Sequence, residues 1–153
     1  YSLVLTEAER SRLRTEQRAQ FLRQPTAAWR EQTLPTEMRN VVCIVRAGGV
    51  AALGTDLVSG ASSHREMQLL RQAGLSPLEI IRIATFNAAV FLGRDRDLGS
   101  IAPGKIADLV LLNRDPTADI DATEDIAMVM HNGLIIDRDR LPVAGKKGPQ
   151  ARR

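Results

Sequence analysis

An aspartate at the end of an apolar run is the first residue in this sequence placed where chemistry could be done. The run Val50-Ala51-Ala52-Leu53-Gly54-Thr55-Asp56 is short and uncharged until its last residue, and it reads as a fully buried strand. In a parallel α/β structure the carboxyl ends of the strands are where ligands and catalytic groups collect, because the loops there vary while the sheet holds them rigidly. Asp56 also fits an ordinary turn former or helix cap. The other groups suited to catalysis are few. The chain has two histidines, His64 and His131, and one cysteine, Cys43. His64 opens the helix expected after Asp56, where a polar residue in the first turn is ordinary. Cys43 cannot make an internal disulfide, and within Val41-Val42-Cys43-Ile44-Val45 it reads as a small buried packing residue.

The elements that must hold these residues follow from periodicity and punctuation. Residues 6 to 23 read as a surface helix or arm, with Thr6 as cap, Glu7 and Glu9 in the first turn, and a solvated Arg/Glu face. Pro25 ends it. A second helical stretch, about Ala27 to Gln32, carries Trp29, whose ring should anchor it to a core. Pro35 and Thr36 then open a helix to about Ala47, with a strand as the alternative because Val41 to Val45 is β-branched, and Gly48-Gly49 stops it. Ser63-His64-Arg65-Glu66 has the spacing of a capping box, so a helix starts near His64 and ends at Gly74. Ser76-Pro77-Leu78-Glu79 repeats the device and opens a longer helix through Leu92, apolar enough to be buried on most sides. After Gly93 the period changes: 98–102, 107–113, 127–131 and 134–137 are short strand candidates, the last two joined by Asn132-Gly133, the strongest short hairpin signal.

Length and composition bound the rest. A chain of 153 residues buries one moderate core, or supplies two small pieces of a larger architecture. No apolar run approaches the about 20 residues needed to span a bilayer. The formal charge of +3 comes from Lys146, Lys147, Arg152 and Arg153 in a Gly/Pro-containing tail that reads as disordered. The rest of the chain is near neutral, and a nucleic-acid partner is not expected. The first residue is Tyr1 and no charged leader followed by an apolar segment precedes it, so the chain is expected to be a processed product or an excerpt. The compartment is left open, with the cytoplasm favoured.

Taken in order, Gly54-Thr55-Asp56, His64-Arg65-Glu66-Met67, Ala73-Gly74-Leu75-Ser76-Pro77, Ala84-Thr85-Phe86-Asn87-Ala88-Ala89, Leu92-Gly93 and Leu98-Gly99-Ser100-Ile101-Ala102-Pro103-Gly104-Lys105-Ile106-Ala107-Asp108-Leu109-Val110 resemble the carboxyl-terminal part of the metal-dependent amidohydrolase superfamily, especially its imidazolonepropionase-like members. The resemblance runs from about Met38 to Arg140 and is loose before that. It implies an α/β fold: the last strand and helices of a (β/α)₈ TIM-type barrel, and part of a small composite β-sandwich. Residues 1–97 would belong to the barrel, 98–141 to the sandwich, and 142–153 to a basic tail. Val50 to Gly54 would be the eighth strand. By the same resemblance Asp56 is both metal ligand and proton acceptor, His64 contacts substrate through a His-x-Glu pattern, and His131, in a sandwich strand, is structural. The implied cofactor is a divalent metal, zinc above others. Such a metal brings the pKa of bound water toward about 7, and a neighbour must still collect the proton and hand it to the leaving amine.

The same resemblance shows what is missing. The family's His-x-His pair, the bridging lysine or glutamate of its fourth strand and the histidines of its fifth and sixth have no counterpart here, and one carboxylate is not a metal site. The expected function is therefore that of a carboxyl-terminal portion of a hydrolase acting on C–N bonds of a small amide or peptide-like substrate, inactive alone. Two alternatives remain: a non-catalytic packing or association module with Asp56 a relic, and a prolidase-like dipeptidase of the same superfamily. Either way the barrel-side surfaces call for the missing amino-terminal barrel segment or for self-association.

Overall fold

The computed structural model describes residues 27–55 and 60–138, together with residues 8, 11, 12, 15, 16, 19, 20 and 23 of the amino-terminal stretch. The described residues between 8 and 20 are helical, as their composition leads one to expect. The proposed cap at Thr6, the tail and Asp56 itself lie outside the described residues.

Helix α1 runs from Ala27 to Arg46 in one piece, with Pro35 inside it, so the expected boundary at Pro35 is not there. A proline within a helix costs about 3 kcal/mol. Here Met38, Val41, Val42 and Val45 are half-buried beyond it, and Val42 and Val45 pack on the core, which favours continuing the helix over breaking it. Helical geometry also corrects two side chains. With residues 42 and 45 turned inward, Cys43 faces out and is exposed. Trp29, expected as an anchor, is 62% exposed, because nothing among the described residues covers its face.

The segment after α1 departs most from the sequence reading. Residues 49–55 form no strand, and Val50 is 58% exposed. A parallel strand needs hydrogen-bonding neighbours on its flanks, and none lies beside it among the described residues. Ala51 and Leu53 pack it on the core, and the Leu53 amide donates to the Ile83 carbonyl at 3.4 Å.

Helix α2 spans Gly60–Gln72. It begins about a turn before the expected start, so Ser63 and Glu66 lie within the helix and not at its cap. Its end is as read: Gly74 has φ of 105°, which an L side chain resists. That turn drives Leu75 into the centre of the core, where it is fully buried.

Helix α3, Pro77–Arg82, opens on the capping box expected from its sequence. Ser76 Oγ accepts from the Glu79 amide, and the Glu79 carboxylate accepts from the Ser76 amide at 2.7 Å. The Ser76 hydroxyl, which donates to the same carboxylate at 2.7 Å, and then the Ser76 amide hold the Glu79 carboxyl below its ordinary value. The chain continues through a π-helical turn, Ile83–Asn87, into α4, Ala88–Phe91. Only one face of this composite helix is buried, through Ile80, Ile83 and Ala89, while Leu78, Phe91 and Leu92 are largely exposed; burial on most sides does not hold.

Among the described residues the β part is a single antiparallel sheet of order β1-β2-β3, built from β1 (Leu109–Leu112), β2 (Ile126–His131) and β3 (Leu134–Ile135). Val110 pairs with Val129 and Met130 with Ile135, with an irregularity between Leu111 and Leu112. Asn132 (φ 51°) and Gly133 (φ 80°) make the expected two-residue hairpin. Residues 98–102 form no strand; they belong to a loop that Lys105 pins by donating to the carbonyls of Asp95 and Leu98. A 3₁₀ helix, Ile120–Glu124, precedes β2 and returns Ile120 and Ala122 to the buried interior. The core cluster is Leu75, Ile80, Ile83 and Ile120, so one residue of the second half plugs into the helices of the first.

Two close approaches generate predictions. Gly99 combines φ of 82° with a backbone so near the π turn that an added Cβ would lie 2.6 Å from Ala89 Cβ and 3.0 Å from Thr85 O. Gly99→Ala is expected to lower stability by about 2 kcal/mol or more. Gly104→Ala, with φ of 86° but open space around it, should lose only the backbone share of about 1 kcal/mol. Urea unfolding of the two variants checks the difference. The second site is the hairpin, where Asp108 Oδ1 accepts from the Asn132 amide at 2.6 Å and from His131 Nδ1 at 3.0 Å. The Asn132 amide first, and His131 to a lesser extent, hold the Asp108 carboxyl below its usual value against the opposing effect of desolvation. A depressed folded-state pKa stabilises above the ordinary aspartate value of about 4 and ceases to do so as pH falls through the folded value. The Asn132 amide resonance is therefore expected to move in a transition centred below pH 4, absent in Asp108→Asn; a transition unchanged in that variant would refute the assignment.

Candidate functional site

The residues with chemical potential gather where α2 meets the 3₁₀ helix. His64 and Gln68 stand one helical turn apart on α2 and so share a face. Opposite them, Ile120 and Ala122 are buried and fix the short helix in place, which leaves Asp121, Thr123 and Glu124 available to α2. Gln68 Nε2 donates to Asp121 Oδ1 at 3.0 Å and to Glu124 Oε1 at 3.5 Å. His64 Nδ1 lies 3.1 Å from Thr123 Oγ1, and that hydroxyl donates to the Ile120 carbonyl at 2.7 Å. His64 is half-buried. It belongs to the second turn of α2, not the first, so it is a braced side chain and not a filler at a helix start.

The segment that carries Asp56 arrives beside this region by way of Leu53, which packs on the same core as Met67 and Leu70 of α2. The structure thus describes the approach to Asp56, through Gly54 and Thr55, and the helix that follows it. His131 lies apart, on the exposed end of β2 against Asp108.

Thr123, Gln68, Asp121 and Glu124 are not distinguished by the sequence. The four-residue spacing of His64 and Gln68 identifies a face of a helix, but nothing local says that a 3₁₀ turn more than fifty residues later will cover it.

A resident metal can be tested against these side chains. Structural and catalytic metals take three or more protein ligands. Among the described residues no group of three His, Cys, Asp or Glu side chains converges in that way, so these residues do not by themselves fit a metal. Nor is any described helix long and apolar enough to cross a membrane.

Comparison with known proteins places this geometry. Ochratoxinase of Aspergillus niger is 35% identical over 89 residues, covering 57% of this chain and 18% of that protein. Imidazolonepropionase of Geobacillus sp. (strain WCH70) is 38% identical over 106 residues, covering 66% of this chain and 23% of the relative. Among solved structures, a Xaa-Pro dipeptidase with methionine bound in its active site superposes with a TM-score of 0.65 at 28% identity, over 73% of this chain and 27% of that one. The chain thus spans about a quarter or less of the length of these relatives. The likeness ties it to a TIM-barrel-related fold, of which the described residues supply helices and a small sheet. A sequence profile of the Amidohydrolase family matches residues 7–136, nearly the whole described span, and the chain therefore belongs to the amidohydrolase family.

Proposed function

We propose that this chain is the carboxyl-terminal share of a metal-dependent amidohydrolase that cleaves a C–N bond, amide or peptide, in a small substrate. The observation that carries this reading is the family match over residues 7–136, within which Gly54-Thr55-Asp56 leads into the helix bearing His64. That a relative named as a Xaa-Pro dipeptidase superposes on most of the chain keeps a peptide among the candidate substrates. Amidohydrolases generally use a divalent metal; here most of its ligands would come from residues outside this chain, with zinc the leading choice.

In that setting residues 50–54 become the last barrel strand once a neighbouring strand lies beside them, residues up to 97 complete the barrel, and residues 98–141 form part of a sandwich. Asp56, at the mouth, takes the proton from the attacking water and returns it to the leaving amine; as a carboxylate it is also the one metal ligand this chain contributes. His64 contacts the substrate. The exposed Phe91, Leu92, Val110, Leu111, Leu134 and Ile135 favour a covering partner, since they are apolar side chains left in water. The amino-terminal barrel segment is the partner proposed, with self-association when it is lacking.

Elemental analysis and turnover together test the reading. The purified chain is expected to hold no stoichiometric zinc, to self-associate in sedimentation, and to hydrolyse no amide or dipeptide. Joined to an amidohydrolase barrel segment it should gain activity, and Asp56→Asn should then lower kcat by about 10²–10⁴-fold. Stoichiometric zinc in the isolated chain, lost in Asp56→Ala, would show that the missing ligands are not missing. A joined enzyme indifferent to Asp56→Asn would remove the proton acceptor.

A further inference from the structure

The turn between β2 and β3 is Asn132-Gly133, and asparagine before glycine is the pairing in which a chain most readily alters itself. The backbone nitrogen that follows an asparagine can attack the side-chain amide carbon, and glycine puts no side chain in its way. Of the asparagines in the chain, Asn40, Asn87, Asn113 and Asn132, the last alone precedes glycine. Asn132 and Gly133 are both exposed, and a Cβ added at Gly133 would meet nothing within 4 Å. The space around the attacking nitrogen is open.

The reaction needs water and nothing else. The Gly133 nitrogen gives up its proton and bonds to Cγ of Asn132, the Cγ–Nδ2 bond breaks, and ammonia leaves with that proton. Water then opens the resulting ring at one of its two carbonyl carbons. The product is aspartate or, with the main chain rerouted through Cγ, isoaspartate. The fold restrains the atoms that must move. The Gly133 amide donates to the Ala107 carbonyl at 3.0 Å, so the proton that has to leave is tied to an acceptor. The Asn132 amide donates to Asp108 Oδ1 at 2.6 Å, and His131 Nδ1 lies 3.0 Å from the same oxygen. Residues 131, 132 and 133 are thus fastened to residues 107 and 108 at the entry to β1. Ring formation abolishes the Gly133 bond outright, so it proceeds from molecules whose turn has first come away from β1.

We propose that Asn132 is a deamidation site held in check by the clasp of Ala107 and Asp108 on the turn, and that reaction there releases β3. Aspartate at 132 sets a second carboxylate beside Asp108. Isoaspartate adds an atom to the main chain inside a two-residue turn whose geometry has no room for it. Both products oppose the pairing of Met130 with Ile135 and of His131 with Leu134, which holds β3 on β2.

Peptide mapping by mass spectrometry of the full chain, held in mildly alkaline buffer with and without urea, reads the conversion at each asparagine. In urea Asn132 is expected to convert ahead of Asn40, Asn87 and Asn113, and without urea about tenfold or more slowly than with it. Asp108→Ala without urea should raise the Asn132 rate about tenfold, the effect of losing a hydrogen bond to a charged acceptor. Asp108→Asn, which keeps an acceptor oxygen and serves if the alanine variant does not fold, should raise it severalfold. An Asn132 that stays intact in urea removes the site, and equal rates with and without urea remove the restraint. A folded Asp108 variant that converts at the wild-type rate overturns the clasp. In the converted chain, separated from its parent, the Ile136 amide, which donates to the Val129 carbonyl at 2.9 Å, should exchange with solvent severalfold faster. Unchanged exchange there overturns the release of β3.

Discussion

The described structure depends on one insertion, that of Ile120 among Leu75, Ile80 and Ile83. Three of these residues come from the helical half, and only Ile120 comes from the chain beyond the helices. Burying an isoleucine is worth about 1.5–3 kcal/mol, so this one side chain supplies much of what keeps the 3₁₀ turn against α2. The polar contacts of His64 and Gln68 are consequences of that docking. They add direction to an association whose driving force is apolar.

This explains why some features were legible in the sequence and others were not. The capping box at Ser76, the hairpin at Asn132-Gly133 and the helix end at Gly74 are set by residues within a few positions of one another, and the structure has all three as read. Pro35, Trp29 and Cys43 were misread because their fate is decided by what lies across from them. The same holds for residues 50–55: an apolar, uncharged run is compatible with a strand, but a strand requires neighbours, and the described chain provides none. His64 could be singled out from its residue type and its place after Asp56. Its partner could not, since Thr123 is separated from it by 59 residues and Thr is ordinary in a turn of that composition.

The amidohydrolase family gives this construction a context. In barrel enzymes the chemistry is held at strand ends, and specificity is written in the loops around them. The chain has the extended residues 49–55 and the helix that follows, and it braces that helix from a different part of the fold. His64 and Gln68 on that helix meet a 3₁₀ turn whose own position is set in the core. Such support from behind is what keeps a site residue in one geometry when the loops around it move or change.

The π-helical turn at Ile83–Asn87 has a consequence for how this protein tolerates changes in length. A π turn accommodates one residue more than the α-helical path needs, and each residue of a helix accounts for about 100° of rotation. The surplus is absorbed locally, so Ala89 still faces the Gly99 backbone and Arg94 still closes the helix end on the Ala89 carbonyl. The turn works as a fixed offset: it shifts the rotational phase of everything from Ala88 onward relative to the turns before it.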